Sequence, residues 1–226
     1  MITARKLVIA IDGPAGSGKS TIAARLAKKL GYVNLESGAM YRALALKAME
    51  RQVSLDDGEA LQQLAAGTVI DLEPREEGNH VLLDGRDVSQ RVRDADVTAA
   101  ASRVSIHPLV REIMVQRQRA LGLGGGVVME GRDIGTAVFP NADVKIFLDA
   151  EESVRAERRV VQAGLHSPED TQRVMAELTA RDQRDRTRSA SPLVAAPDAV
   201  HVDTTHKSID DVVAEVEGVV KKVASG

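Results

Sequence analysis

Gly13-Pro14-Ala15-Gly16-Ser17-Gly18-Lys19-Ser20 decides how this chain is read, because its spacing is G-x-x-x-x-G-K-[ST], that of a loop that wraps phosphate groups. Upstream, Leu7, Val8, Ile9, Ala10 and Ile11 form an apolar run of buried-strand length. Downstream, Ile22, Leu26 and Leu30 fall at helical spacing over residues 21–30. A strand that feeds a glycine loop opening a helix aims backbone N–H groups and the positive end of the helix dipole at one point. That point suits an anion. Gly13, Gly16 and Gly18 allow positive φ and close backbone approach, Lys19 reaches β- and γ-phosphates as a point charge, and Ser20 can ligate Mg²⁺. A glycine-rich turn that merely caps a helix is the bland alternative, and the strand before and helix after argue against it.

The 226 residues suffice for one α/β domain with insertions, or for a domain with a small satellite. A formal charge of −3 and an aromatic content of 2 % (Tyr32, Tyr41, Phe139 and Phe147) argue against a nucleic-acid partner. With no cysteine there is no disulfide and no thiolate metal site. The histidines (His80, His107, His166, His201, His206) lack H-x-x-x-H spacing. No apolar run approaches the roughly 20 residues of a membrane span, and the first one enters the phosphate loop directly, as a strand does and a signal peptide does not. A cytoplasmic protein with no membrane partner is expected.

Further along, residues 32–35 read as a second strand and Ser37 as the N-cap of a helix through 50, with Leu44, Leu46 and Met49 as its apolar surface. Arg42 lies in the first two turns of that helix, a poor place for a cation on dipole grounds unless an anion is held there. Ser54 and Asp57 open another helix through 65. Two β-like runs, 68–72 and 80–83, flank the polar tract 74–79, which predicts a hairpin within a small antiparallel insertion from about 68 to 90. That insertion is either a ligand-contacting lobe or a surface decoration. Helices follow over 94–104 and from Pro108 to 120, with Arg111 near the start of the second. The glycine cluster 122–126 then breaks the helix. A strand over 127–130 ends at Gly131-Arg132-Asp133, the carboxyl end where open α/β sheets place ligands.

The next strand is 144–148, followed by helices over 153–162 and from 167 to about 188. On the last of these Arg181, Arg184, Asp185 and Arg188 fall within roughly 100° of one another. With Arg158 and Arg159 on the preceding helix, they can form a movable cap of positive charge over phosphates. A solvated face with i,i+4 pairs such as Arg181 to Asp185 is the alternative. A phosphate loop elsewhere in the chain favours the cap. A fifth strand over 199–202 and an amphipathic helix capped by Ser208 close the chain. Alternating strands and helices predict a parallel sheet covered on both faces.

Taken together, residues 13–21, Ser37-Gly38-Ala39-Met40-Tyr41-Arg42, Gly131-Arg132-Asp133-Ile134-Gly135-Thr136, Lys145-Ile146-Phe147-Leu148-Asp149 and Arg181-Asp182-Gln183-Arg184-Asp185-Arg186 resemble bacterial cytidylate kinase, over nearly the whole chain. The resemblance implies one nucleoside monophosphate kinase domain, 1–226. Its fold would be the P-loop α/β three-layer fold with a five-stranded parallel sheet. The implied parts are a core (1–67, 91–150 and 189–226), a β-rich acceptor-binding insertion (about 68–90) and a helical lid (about 151–188). It further implies transfer of the ATP γ-phosphoryl group to CMP or dCMP with Mg²⁺, by a monomer.

By the same likeness Gly13, Pro14, Ala15, Gly16, Ser17, Gly18, Lys19, Ser20 and Thr21 bind ATP, with Ser20 on the metal. Arg42 and Arg132 hold the acceptor phosphate; Ser102, Arg111 and Asp133 read the base; Ser37, Arg181 and Asp185 reach the sugar; Arg188 is a further acceptor-site residue. Arg158 and Arg184 are lid arginines on the donor phosphates and join Lys19 and Arg132 as the catalytic set. Glu36 and Glu130 stand where related sequences often have aspartate, and Ser20 where nucleoside monophosphate kinases often have glycine.

The residue chemistry agrees, since phosphoryl transfer needs two anions held in line more than it needs a strong base. Cytosine offers an exocyclic amine donor, which suits the Asp133 carboxylate, beside ring acceptors that suit Arg111. The competing readings are a kinase for UMP, AMP or a small hydroxy acid on the same scaffold, and a nucleotide-dependent switch. The chain has no N-K-x-D guanine-reading motif.

Overall fold

The computed structural model describes residues 6–75, 78–165 and 167–225. In chain order the elements are β1 (Val8–Asp12), α1 (Lys19–Leu30), β2 (Val33–Glu36), α2 (Ser37–Glu50), α3 (Gly58–Ala66), β3 (Ile70–Arg75), β4 (Gly78–Leu83) and β5 (Arg86–Asp87). They continue with α4 (Ala95–Val104), α5 (Pro108–Gly122), β6 (Val127–Glu130), β7 (Val144–Asp149), α6 (Glu152–Gln162), α7 (Pro168–Thr187), β8 (Val200–Asp203) and α8 (Ile209–Ala224).

Five strands form one sheet in the order β2-β6-β1-β7-β8, every neighbouring pair parallel. β1 lies at its centre, with Ile9 opposite Val128 on one side and Val144 on the other. Alternate residues along these strands enter different cores, as the two-residue strand period requires. Ala10, Leu35 and Met129 pack with Met40, Leu44, Leu61 and Met114 from α2, α3 and α5. Ile9, Ile11 and Leu148 pack with Ile22 and Leu26 of α1 and Val212 and Val216 of α8 on the other face. This bears out the three-layer α/β fold with a five-stranded parallel sheet. No helix among the described residues is long and apolar enough to cross a membrane.

The small antiparallel sheet is also present, as three strands in the order β3-β4-β5. It differs from the expected hairpin in that most of the polar tract is itself strand: Pro74 pairs with Asn79, and Arg75 with Gly78. Pro74 is tolerated because β3 is an edge strand, where a missing N–H removes no ladder bond. Glu76 and Glu77 of that tract lie outside the described residues, as does His166. Asn79 docks this sheet on the core, its side chain donating to the Asn34 carbonyl and accepting from Glu36 N, both at 2.7 Å. One amide thus satisfies the free edge of β2 as a neighbouring strand would.

Three expected N-caps form. Asp57, Ser167 and Ser208 accept from the N–H three residues on, at 3.0, 3.0 and 3.2 Å. Ser37 is a correction, because α2 starts at Ser37 with Glu36 as its N-cap. The Ser37 hydroxyl instead donates to the Glu130 carbonyl at 2.8 Å and pins α2 to the end of β6. α5 also runs to Gly122, inside the expected glycine break, because Gly122 leaves room for the Phe139 ring. An unforeseen π-helical segment, Ile134–Val138, follows Asp133.

Candidate active site

The phosphate loop hangs between the carboxyl end of β1 and the first turn of α1. Gly13 has φ 147°, and a Cβ there would lie 2.0 Å from the Leu148 carbonyl oxygen, so only glycine lets the loop leave the sheet. Gly18, at φ 92°, is the N-cap of α1. Inside the loop the Pro14 carbonyl accepts from Ser17 Oγ at 3.0 Å and from Lys19 Nζ at 2.7 Å. Thr204, just beyond β8, donates to the Ser17 carbonyl at 3.2 Å. Burial, reinforced by the Arg132 guanidinium, pulls the Lys19 ammonium down to about 7. A cation held at that disadvantage gains by meeting an anion.

Ser20 and Thr21 are exposed at the mouth of the loop. Ser20 Oγ donates to Glu130 Oε1 at 3.1 Å across the β1–β6 seam. Burial, and then the Glu36 carboxylate, push the Glu130 carboxyl up. A hydroxyl and a carboxylate charged only at a penalty form a hard-oxygen set that fits a small divalent cation.

A second cluster of charged side chains is built from the ends of β2 and β6 and from α4, α5 and α7. Burial pushes the Glu36 carboxyl up, but the charge and hydrogen bond of Arg42 outweigh it and hold it below the usual range. That bond runs from Arg42 Nη2 to Glu36 Oε1 at 2.6 Å, which explains how a cation is accommodated so early in α2. Asp12, the last residue of β1, accepts from Ile134 N and Gly135 N, both at 2.7 Å. Its carboxylate fixes the turn that carries Arg132 and Asp133. Arg132 Nε donates to Asp185 Oδ2 at 3.0 Å. Asp133 pairs with Arg111 and with Arg188 Nη2 at 3.4 Å, and the Arg111 guanidinium lies 5.4 Å from the centre of the Tyr41 ring.

These arginines are not saturated by their partners. The Nε atoms of Arg42, Arg111 and Arg181 are buried without a hydrogen-bond partner. Burial and the nearby Arg132 pull Arg181 down to about 10. Buried donors in native structures are nearly always satisfied, so these three leave room for an acceptor from water or from a ligand. A cavity of about 260 Å³ at the end of α7 is lined by Ile106, Arg184, Thr187, Arg188 and Ser189, and by none of these three arginines. A larger one of about 600 Å³ between the starts of α3 and α5, lined by residues such as Ser54, Asp57 and His107, includes none of these arginines.

The structure therefore gathers Ser37, Arg42, Arg111, Arg132, Asp133, Arg181, Asp185 and Arg188 around one end of the sheet, beside Lys19. The two expected lid arginines are each held by a protein partner. Arg158 donates to Thr204 Oγ1 at 2.9 Å and to its carbonyl at 2.6 Å. Arg184 Nε donates to Ser102 Oγ of α4 at 3.2 Å.

With this geometry in view, comparison with known proteins decides the family. The sequence profile described as cytidylate kinase matches residues 9–222. The chain belongs to the cytidylate kinase family. It is 49 % identical over 219 residues to the cytidylate kinase of Geobacillus kaustophilus (strain HTA426), covering 96 % of this chain and 98 % of that one. It is 49 % identical over 220 residues to the cytidylate kinase of Enterococcus faecalis (strain ATCC 700802 / V583), covering 96 % of each. Among solved structures, an uncharacterized protein from Eubacterium ventriosum ATCC 27560 superposes with a TM-score of 0.50 at 12 % identity, over 98 % of this chain and 99 % of that one, a likeness of fold alone.

In this member of the cytidylate kinase family the structure adds residues that the sequence reading passed over. Asp12 lies in an apolar run and shows its role only once the π-helical segment is placed beside it. Glu130 was visible as the acid ending β6, but its partner Ser20 is 110 residues away. Arg155 and Asp182, both buried, meet the phosphate loop at Ala15. Asp182 lies inside the quoted R-D-x-R-D-R element, and Arg155 carried no signal beyond its charge.

Proposed function

We propose that the chain transfers the γ-phosphoryl group of ATP to CMP or dCMP, giving ADP and the nucleoside diphosphate, with Mg²⁺ as the metal. Family membership supports a nucleotide kinase that uses ATP and a metal. The observation that carries the choice of acceptor is the Asp133 carboxylate held between Arg111 and Arg188. A carboxylate accepts from the exocyclic amine of cytosine, whereas uracil would set a carbonyl oxygen against it, a mismatch of about 1–3 kcal/mol in a buried site.

In this reading residues 13–21 cradle the ATP phosphates, and Arg42 and Arg132 grip the acceptor phosphate. Lys19 and Arg132 flank the path between the two anions and stabilise the charge of the transferring group. Arg181, Asp185 and Ser37 reach the sugar, and Ser102, Arg111 and Asp133 the base. Ser20 and Glu130 would hold the metal, which would supply positive charge against the phosphates there. The division into core, acceptor-binding insertion (68–90) and lid (151–188) belongs to the same proposal. So does a monomer working in the cytoplasm without nucleic-acid or membrane partners. Arg158 and Arg184 serve the donor phosphates only if they leave Thr204 and Ser102 when the lid closes.

The test is ADP release with Mg²⁺ and ATP across CMP, dCMP, UMP, AMP and shikimate as a hydroxy acid. CMP and dCMP are expected to lead. A preference for any other acceptor overturns the assignment, and slow hydrolysis that ignores the acceptor would favour a switch.

A further inference from the structure

Ala15, at the crest of the phosphate loop, is held by three separate contacts from helices that lie more than a hundred residues downstream. Its N–H donates to Asp182 Oδ1 of α7 at 3.2 Å. Its carbonyl accepts from Arg155 Nη1 of α6 at 2.9 Å. Its methyl group is packed in a small apolar cluster with Ala156, Val160, Val174 and Leu178 of the same two helices. The same Arg155 Nη1 also pairs with Asp182, so one buried ion pair closes a ring around a single residue, Ala15. The next residue fits the clamp as well, since a Cβ on Gly16 would lie 3.0 Å from both the Arg155 Cβ and its carbonyl oxygen.

Helix α7 does not stop at the loop. One turn beyond Asp182, Asp185 accepts from Arg132 at 3.0 Å, and Arg188 reaches Asp133 at 3.4 Å. Arg184 Nε donates to Ser102 on α4. The 20-residue α7 thus touches the phosphate loop with Asp182 and the acceptor pocket with Asp185, and its C-cap residue Arg188 reaches the same pocket. An element with two arrangements, whose balance both sites bias, makes their binding energies interdependent, and the dependence is reciprocal.

We propose that Arg155 and Asp182 are positioning residues that couple the two substrate sites, their clamp on Ala15 making α7 register the donor loop and the acceptor pocket together. The inference rests on the proposed kinase reading and extends it. Neither residue touches the reacting atoms. Their effect is on how strongly occupation of one site favours the other.

The experiment measures the Kd of CMP by calorimetry with and without saturating Mg²⁺ and a non-hydrolysable ATP analogue. In the parent chain the filled donor site should tighten CMP by about fivefold or more, the lower range of measured site-to-site couplings. In Asp182→Asn the ratio should fall below about twofold while CMP affinity without the analogue stays within about twofold of the parent. A lone buried charge can unfold a protein, so the double variant Arg155→Met, Asp182→Leu, which replaces the pair by apolar side chains, repeats the measurement. A loss of coupling in the folded variants supports the proposal. A parental ratio in either folded variant, or a parent chain whose CMP affinity ignores the donor site, overturns it and leaves the kinase reading intact. A parent chain that does not bind CMP defeats the kinase reading and this proposal with it.

Discussion

Arg132 Nε donates to Asp185 Oδ2 at 3.0 Å, joining the end of β6 to α7 across 53 residues of chain. Burial alone would push the Asp185 carboxyl up, yet Arg132, Arg181 and Arg188 together hold it below its usual range. The carboxylate stays charged and orients Arg132 toward the space beside Lys19. The consequence is a cationic group fixed in place before any ligand arrives, which lowers the reorganisation needed during phosphoryl transfer.

Arg132→Ala should lower kcat by about a hundredfold or more, the scale of losing one preorganised charge donor. Because Arg132 is assigned to the phosphate and not the base, the loss should be alike for CMP, dCMP and UMP. Initial rates across the three acceptors check this, and a loss confined to one of them would contradict the assignment.

Asp133→Asn keeps the shape of the side chain but replaces one acceptor oxygen with an amide NH2 donor. The amide can donate to the uracil carbonyl that the carboxylate opposes, so the preference for CMP over UMP should narrow by about tenfold, within the range for one buried mismatch. The KM for ATP should stay within about twofold of the parent, on the same reasoning. Unchanged selectivity, with the melting temperature held, would remove Asp133 from base reading.

Burial, opposed by the two N–H groups it accepts, raises the Asp12 carboxyl from 3.8 to about 6. An acid whose folded pKa lies above its unfolded value binds its proton more tightly in the native state. Its contribution to stability is therefore complete below the unfolded pKa and is lost as pH rises through the folded one. Between about pH 4 and pH 6.5 the parent should lose up to roughly 3 kcal/mol relative to Asp12→Asn, two pKa units being worth about that much. Urea melts of both proteins across this range test it, and parallel pH curves would refute it. The variant should also turn over more slowly, since an amide cannot accept from both Ile134 N and Gly135 N.

Asn79→Ala removes the two bonds its side chain makes to β2, and each part-buried group left unpaired costs up to about 1–3 kcal/mol. The melting temperature should fall. Because Glu36, the residue whose N–H is released, also holds Arg42, the KM for CMP should rise more than the KM for ATP. Equal changes in the two constants would detach the insertion from the acceptor side.

Much of the molecule was legible because its signals are local. The Gly13-to-Ser20 spacing, the apolar period of α1 and the caps at Asp57, Ser167 and Ser208 each depend on residues within a turn or two, and backbone sterics leave few ways to satisfy them. The same holds for the order of strands and helices, from which the parallel sheet follows. The misread places were those where a distant partner outweighed a local preference: Ser37 gave up the capping role for the Glu130 carbonyl, and Pro74 entered a strand because that strand had an unpaired edge. The pairs that shape the site, Asp12 with Gly135 and Ala15 with Arg155, lie 123 and 140 residues apart. Sequence alone determined which chemistry the chain carries and on what scaffold. Only the tertiary structure decided which buried charges face one another, because that choice rests on long-range packing that brings their low-dielectric surroundings together.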